Sequence, residues 1–340
     1  MVYYPGTSSW SWRVLNLIQG FGPVILCLGT WFVPQSPRWL VKNGREEEAH
    51  KVLADYHANG DMNDDLVQFE MREIKAAVEI EKVGDQSSWL SFFKNPGNRR
   101  RFLVIILLGT VTQWAGNGII SYFLIPVLKT VGITSSTQQT GINGGFSIWS
   151  RWCAILGASL VEWTGRRTLF LVSSIGGMLA CFVIMLGLSG GYAATKHTST
   201  GLAMVPVIFL FNAFYVIAMT PIPMLYVPEI TPLSLRAKAA SLLLLSQNCA
   251  QSFNQFANPV ALAAIGWKYY TVYFGAQIIY FTLFCIFVRE TRGLTTEEAA
   301  VVYESDETRE GALDAAYRQE RPESPSGELK EAKEKVTRRA

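Results

Sequence analysis

Apolar residues run through this chain in long blocks separated by short polar and basic connectors. About 20 residues let a helix cross a bilayer, because each adds about 1.5 Å. Blocks of roughly that length or more cover residues 14–33, 102–128, 142–161, 169–188, 203–226, 239–265 and 270–288. Pro23 lies near the middle of the first, Pro221 and Pro223 break the fifth, and the sixth passes through Pro259. The pattern changes between the first and second blocks. Residues 44–58 and 62–82 read as amphipathic soluble helices, separated by the turn Asn59-Gly60-Asp61. After the last block, 289–304 reads as a short helix. Residues 305–340 are charged, nearly free of large apolar side chains, and expected to be disordered. The pattern therefore predicts an all-α membrane protein of about seven transmembrane helices with a soluble helical insert.

Composition sharpens this. Charged residues make up 17% of the chain against a globular norm of about 25%, and they concentrate in 43–94 and beyond Arg289. A net charge of +3 is too small to argue for nucleic acid. Arg38, Lys42, Arg99, Arg100, Arg101, Arg166, Arg167, Arg236, Lys238, Arg289 and Arg292 fall on one set of connectors. The other set holds Arg13, Lys129, Lys196 and Lys268. That asymmetry places the N-terminus outside and the C-terminus in the cytoplasm, with the plasma membrane as the expected site. No signal peptide is expected, since 1–12 lacks a basic start and an apolar core. Cys27, Cys153, Cys181, Cys249 and Cys285 sit inside apolar blocks without ligand spacing, so neither a metal nor a cofactor is expected. His50, His57 and His197 lie outside the blocks. No catalytic constellation is visible, and an enzyme is not expected.

The second block carries the candidate chemistry, in TQWAGNGIISYFL from Thr112 to Leu124. Gln113 and Asn117 are four apart and share a helical face, which Ser121 continues. Side-chain amides are costly in hydrocarbon unless paired or facing water. Beside Gly116 and Gly118, they suit a cavity that binds a hydroxyl-rich ligand. They equally suit close helix–helix packing, where Gly, Ser and Asn are common. The sixth block adds Gln247, Asn248, Gln251, Asn254 and Asn258. Three charged clusters mark helix ends on the basic side: Glu162 with Arg166 and Arg167, Glu229 with Arg236, and Glu290 with Arg292. Carboxylate–guanidinium pairs there can latch helices in one conformation and release them in another. They can also be ordinary topology signals.

The motifs PQSPRWL (34–40), EWTGRR (162–167), PEITPLSLR (228–236) and ETRGLTTEE (290–298) resemble, in order and spacing, signatures of the sugar porter branch of the major facilitator superfamily. QWAGNGIISY (113–122), FNQFANPVALAAIGWKYY (253–270) and ETRGLTTEEAAVVYE (290–304) are most similar to fungal lactose permeases and hexose transporters. The resemblance runs from Trp12 to Glu304 and implies a partial major facilitator fold. Family members have twelve spans in two halves. Residues 1–42 would be an outer segment with span six, 43–101 the cytoplasmic helical insert, 102–288 the C-terminal six-helix half, and 289–340 a cytoplasmic tail. Spans one to five, which hold the coupling acid of proton symporters, would be a missing N-terminal half.

The resemblance also implies roles. Gln113 matches the second glutamine of the family's sugar-binding pair, with Thr112 in place of the first. Asn117 precedes the family's asparagine position, and Ser150 falls where many members have a sugar-contacting asparagine. Met224 sits where glucose facilitators place a tryptophan that packs on sugar, so that platform is either lost or moved to Tyr226. Gln247, Asn248 and Gln251 face the cavity. Arg38, Glu162, Arg166, Arg167, Glu229 and Arg236 form a gating charge network, weakened at the insert by Gln35. Arg151, about 16 Å deeper than Glu162 by helical rise, fits poorly. It reads as a selector for anionic sugars, as the partner of a distant carboxylate, or as sequence drift.

The leading expectation is alternating-access transport of a mono- or disaccharide, proton-coupled in the full-length relative, with a lipid bilayer and a small sugar as partners. The alternative is a truncated, non-transporting membrane protein: an inactive remnant, a regulatory partner or a sensor.

Overall fold

The computed structural model describes residues 10–85, 88–122, 124–130 and 133–304, together with 309, 311, 336 and 337. Apart from those last four positions, the tail expected to be disordered lies outside the described residues. All regular elements among them are helical, and they fall into two compact units, Met1–Ser87 and Ser88–Ala340.

The first unit begins with α1 (Trp10–Gly29), whose apolar side chains, such as Leu17, Ile18, Phe21 and Leu26, are exposed. A small helical cluster follows: α2 (Pro37–Lys42), α3 (Glu46–His57) and α4 (Asp65–Asp85). Pro37 starts α2, where its missing N–H costs nothing and its fixed φ suits a helix. Leu40 and Val41 then bury against Ala49, Leu53, Ala54, Val67, Met71 and Val78. The apolar positions of α2 thus belong to the core formed by α3 and α4. The turn expected at Asn59-Gly60 is present, with φ of +49° and +92° ending α3.

The second unit opens with α5 (Ser91–Lys94) and α6 (Pro96–Trp114). The insert was expected to reach Arg101, yet the division falls at Ser87, and Asn98 and Arg101 are buried in the second unit. Arg101 and Asn98 are bonded to groups of that unit, which is the physical reason. The chain continues through α7 (Asn117–Tyr122), α8 (Leu124–Thr130), α9 (Ser136–Thr164) and α10 (Arg166–Leu171). A π-helical stretch, Val172–Leu179, leads into α11 (Ala180–Thr195). Then come α12 (Thr198–Met219), α13 (Ile222–Ile230), α14 (Leu233–Ile265), a 3₁₀ turn Gly266–Lys268, α15 (Tyr269–Phe287) and α16 (Thr296–Ala300). The prolines at 221 and 223 separate α12 from α13 as expected.

Among the described residues, four stretches are long and apolar enough to cross a membrane: Pro96–Ile120, Gly177–Thr195, Leu202–Ile230 and Leu233–Phe287, the last comprising α14 and α15. α9 has the length but is diluted by Gln138, Gln139, Asn143 and Arg151, and α1 contributes a shorter apolar stretch, Asn16–Gly29. α6 packs along α14 and α9 along α12. Both crossings are close: a Cβ on Gly109 would meet Ser246, and one on Gly157 would meet the Ile217 backbone. Phe170, Phe182, Phe211, Tyr226 and Phe284 are fully buried in the core between the helices.

Candidate functional site

The site is built around a break in one helix. α6 stops at Trp114 and α7 restarts at Asn117, with Gly116 between them at φ +93°. That conformation favours glycine, and a Cβ at Gly116 would lie 2.2 Å from the Phe182 ring. Breaking the helix frees carbonyls that hydrocarbon cannot satisfy. Three neighbouring helices supply the donors. The Tyr215 hydroxyl of α12 donates to Thr112 O at 2.6 Å, Asn254 Nδ2 of α14 to Gln113 O at 2.6 Å, and Gln277 Nε2 of α15 to Ala115 O at 2.6 Å. Trp114 Nε1 returns a bond to Ala250 O at 3.1 Å. The break is therefore a fixed feature of the fold.

Gln113 and Asn117 are half-buried on the broken helix. On α14, Leu243, Ala250, Asn254 and Asn258 form the buried seam, and Gln247 and Gln251 flank it, both half-buried. Among the described residues no hydrogen bond engages the side-chain amide of Gln113 or Gln247. The Ser121 side chain, expected to continue the stripe, lies outside the described residues. Asn248 is exposed on an adjoining face and donates to Leu244 O. Ser150 is half-buried on α9; its hydroxyl donates to Phe146 O at 2.8 Å and accepts from Asn212 Nδ2 at 2.6 Å. Arg151 beside it is exposed and forms no ion pair among the described residues.

Tyr226 requires correction. Its side chain is fully buried, and its hydroxyl donates to Arg289 O at 2.8 Å and meets the Tyr303 hydroxyl at 2.9 Å. It packs edge-on against Phe170 near the charged end of the unit, so it offers no surface to a ligand at the stripe. The Tyr303 hydroxyl donates a hydrogen bond to Phe287 O at 2.8 Å, and burial raises its pKa, keeping the phenol protonated as a donor.

The charged end contains the expected network in altered form. Arg166 Nη2 pairs with Glu229 Oε1 at 2.8 Å, and Thr291 Oγ1 donates to Glu229 Oε2 at 2.7 Å. Glu290 accepts the backbone N–H groups of Arg166, Arg167, Thr291 and Arg292 at 2.9–3.0 Å. It thus caps the start of α10 and ties α10 to the segment after α15. Gly165 (φ +90°) leaves room, since a Cβ there would lie 2.7 Å from Glu290 Oε2. Arg167 Nη2 donates to Cys285 O at 3.0 Å.

Two expected members are not brought in. Glu162, in the last turn of α9, is exposed without an ion pair among the described residues, and the partners of Arg166 and Arg167 lie elsewhere, on Glu229 and Cys285 O. Arg236 is half-buried with no ion pair among them; the Glu229 carboxylate is already occupied by Arg166 and Thr291. Arg38 is exposed on α2, in the first unit. A further pair was missed. Arg101 is fully buried, bonding Glu304 Oε1 at 2.7 Å, Asn98 Oδ1 at 2.5 Å, Ile230 O at 2.9 Å and, by a short contact, Ala300 O. Its signal was hidden in the run Arg99-Arg100-Arg101, where one member of a topology signal does structural work.

A family profile described as sugar (and other) transporter matches residues 2–303. The chain belongs to that family. It is accordingly a multi-pass membrane protein of a transporter family, not of an enzyme class. Among curated relatives, it is 28% identical over 300 residues to a high-affinity glucose transporter of Schizosaccharomyces pombe, covering 86% of this chain and 55% of that one. It is 28% identical over 306 residues to a hexose transporter of Saccharomyces cerevisiae, covering 88% and 55%. The chain thus spans about half the length of the curated relatives it matches. Its fold is similar to that of a major facilitator proton:xylose symporter, with TM-score 0.64, 21% identity, and 88% of this chain and 62% of the other covered. An inward-open xylose transporter from E. coli gives 0.65 at 19% identity, covering 89% and 60%. These likenesses establish an all-α, partial major facilitator fold.

Proposed function

We propose that this chain forms the sugar-binding half of an alternating-access carrier for a mono- or disaccharide. The observation that carries the reading is the break at Gly116, flanked by the half-buried Gln113 and Asn117 on a helix that packs along α14, which bears Gln247 and Gln251. Each amide offers donor and acceptor together, matching a polyol whose hydroxyls both give and take hydrogen bonds. Discontinuous membrane helices commonly mark the substrate site of secondary transporters. Asn248 and Ser150 are assigned supporting roles in this reading. Ser150 acts through its bond to Asn212.

The pair Arg166–Glu229 and the cap from Glu290 would hold the charged end closed, with Arg38 acting on the same side. The positive-charge asymmetry argues that this end is cytoplasmic, in the plasma membrane. The relatives' names, which speak of glucose and hexose, support a neutral sugar. Proton coupling is proposed for the assembled carrier only. Between residues 102 and 288 the acids are Glu162 and Glu229, both at the charged end, so a coupling acid would have to come from a partner half.

The test is uptake of radiolabelled glucose, xylose and lactose in yeast lacking its own sugar carriers, expressing this chain alone or with the first half of a relative. Uptake by the pair alone supports the reading. Uptake by neither, despite membrane insertion of both, favours the non-transporting alternative.

A further inference from the structure

Beyond the charge network, a cleft of about 260 Å³ opens at the end of α15, lined by Arg100, Ile286, Phe287, Arg289 and Tyr303. Its two arginines come from different parts of the chain, the start of α6 and the residue pair just after α15. Neither guanidinium has an ion pair among the described residues. The acid nearest in sequence to the lining residue Tyr303 is Glu304, and it is committed to Arg101. Glu290, adjacent to Arg289, is committed to the backbone N–H groups that it caps. Two positive charges thus border a concavity, and the described carboxylates nearest it in sequence, Glu290 and Glu304, are committed elsewhere.

The apolar part of the cleft continues along the helix. Val272, Ile279 and Ile286 are 56%, 61% and 60% exposed, at intervals of seven residues on α15. Seven residues return a helix to nearly the same face, so they form one stripe that ends at the cleft. A basic pocket at the end of a membrane helix, fed by an exposed aliphatic stripe, has the polarity of a phospholipid: acyl chain along the helix, phosphate at the arginines.

We infer that the cleft between Arg100 and Arg289 binds the phosphate headgroup of an anionic phospholipid, with an acyl chain lying along Val272, Ile279 and Ile286. The inference rests on the membrane-spanning reading of α15 and not on sugar transport. Arginine forks suit the phosphate oxygens and would hold them bidentately. The bound lipid would join the start of α6 to the segment after α15, the same two regions that Arg101 and Glu304 connect.

The test is native mass spectrometry of the full chain in detergent. It is titrated with phosphatidylglycerol, phosphatidylcholine or inorganic phosphate. The first is expected to bind more tightly than the second, and each of Arg100→Gln and Arg289→Gln to weaken it about fivefold, as about 1 kcal/mol per surface cation implies. Ile279→Gln should weaken lipid binding while leaving the headgroup preference intact. The double variant R100K/R289K retains the charge and preserves that preference, which separates loss of the site from loss of fold. Equal binding of both lipids would overturn the inference, as would a preference surviving R100Q/R289Q. Displacement of the lipid by equimolar inorganic phosphate would make this a soluble-anion site and overturn the lipid assignment.

Discussion

At Gly116 the backbone is held at φ +93° against the Phe182 ring, so a methyl group there meets both a strained conformation and a filled space. Gly116→Ala is expected to cost about 1–3 kcal/mol, read as a lowered unfolding temperature of the detergent-solubilised chain. Asn254→Leu tests the same feature from the other side. It removes the donor to Gln113 O and should cost about 1–3 kcal/mol through an unsatisfied carbonyl. These residues also show what a single sequence can and cannot reveal. Gln113 and Asn117 stood out because amides are rare in apolar blocks. Asn254 and Asn258 stood out equally, yet their pairing was invisible: Asn254 bonds a backbone carbonyl on another helix, and Asn258 Oδ1 accepts from Tyr269 and Tyr273. Polarity marked the residues, while only the packing shows that Asn254 and Asn258 are spent on the fold. Tyr226 was misplaced for the same reason. Its position in the family motif says nothing about the side to which its ring turns, and that side is the core.

At the scale of elements, the segment after α15 works as a strap. Its α16 is fixed by a capping box in which Thr295 Oγ1 accepts from Glu298 N and Glu298 Oε2 accepts from Thr295 N. From this strap, Glu304 reaches Arg101 on α6 and Glu290 reaches the start of α10. Removing one partner of a buried pair leaves the other charge uncompensated. Glu304→Gln is therefore expected to destabilise by about 3–5 kcal/mol. The double variant Arg101→Leu with Glu304→Gln should lose less than the sum of the single changes, measured as a double-mutant cycle of thermal unfolding. The all-helical character and the order of the long apolar helices were legible in the hydropathy pattern, since long apolar blocks have few folded alternatives in lipid. The insert boundaries were not. Leu40, Val41 and Arg101 each sit a few residues beyond an apparent change in composition, and each follows its packing partners.

For the molecule as a whole, membership of the transporter family supports the proposed transport, and the break at Gly116 marks where the proposal puts the sugar. Arg166→Ala should loosen the charged end, raising solvent access to a cysteine introduced at Leu169, without removing sugar affinity. The amide variants should do the reverse. The most direct measurement is sugar uptake by this chain together with a relative's first half, comparing wild type with Gln113→Leu and Gln247→Leu at equal membrane levels. The account predicts uptake by wild type and at least about a tenfold loss in each variant, equivalent to about 1.4 kcal/mol of lost sugar contact. Undiminished uptake in both variants would place the sugar elsewhere and contradict the account.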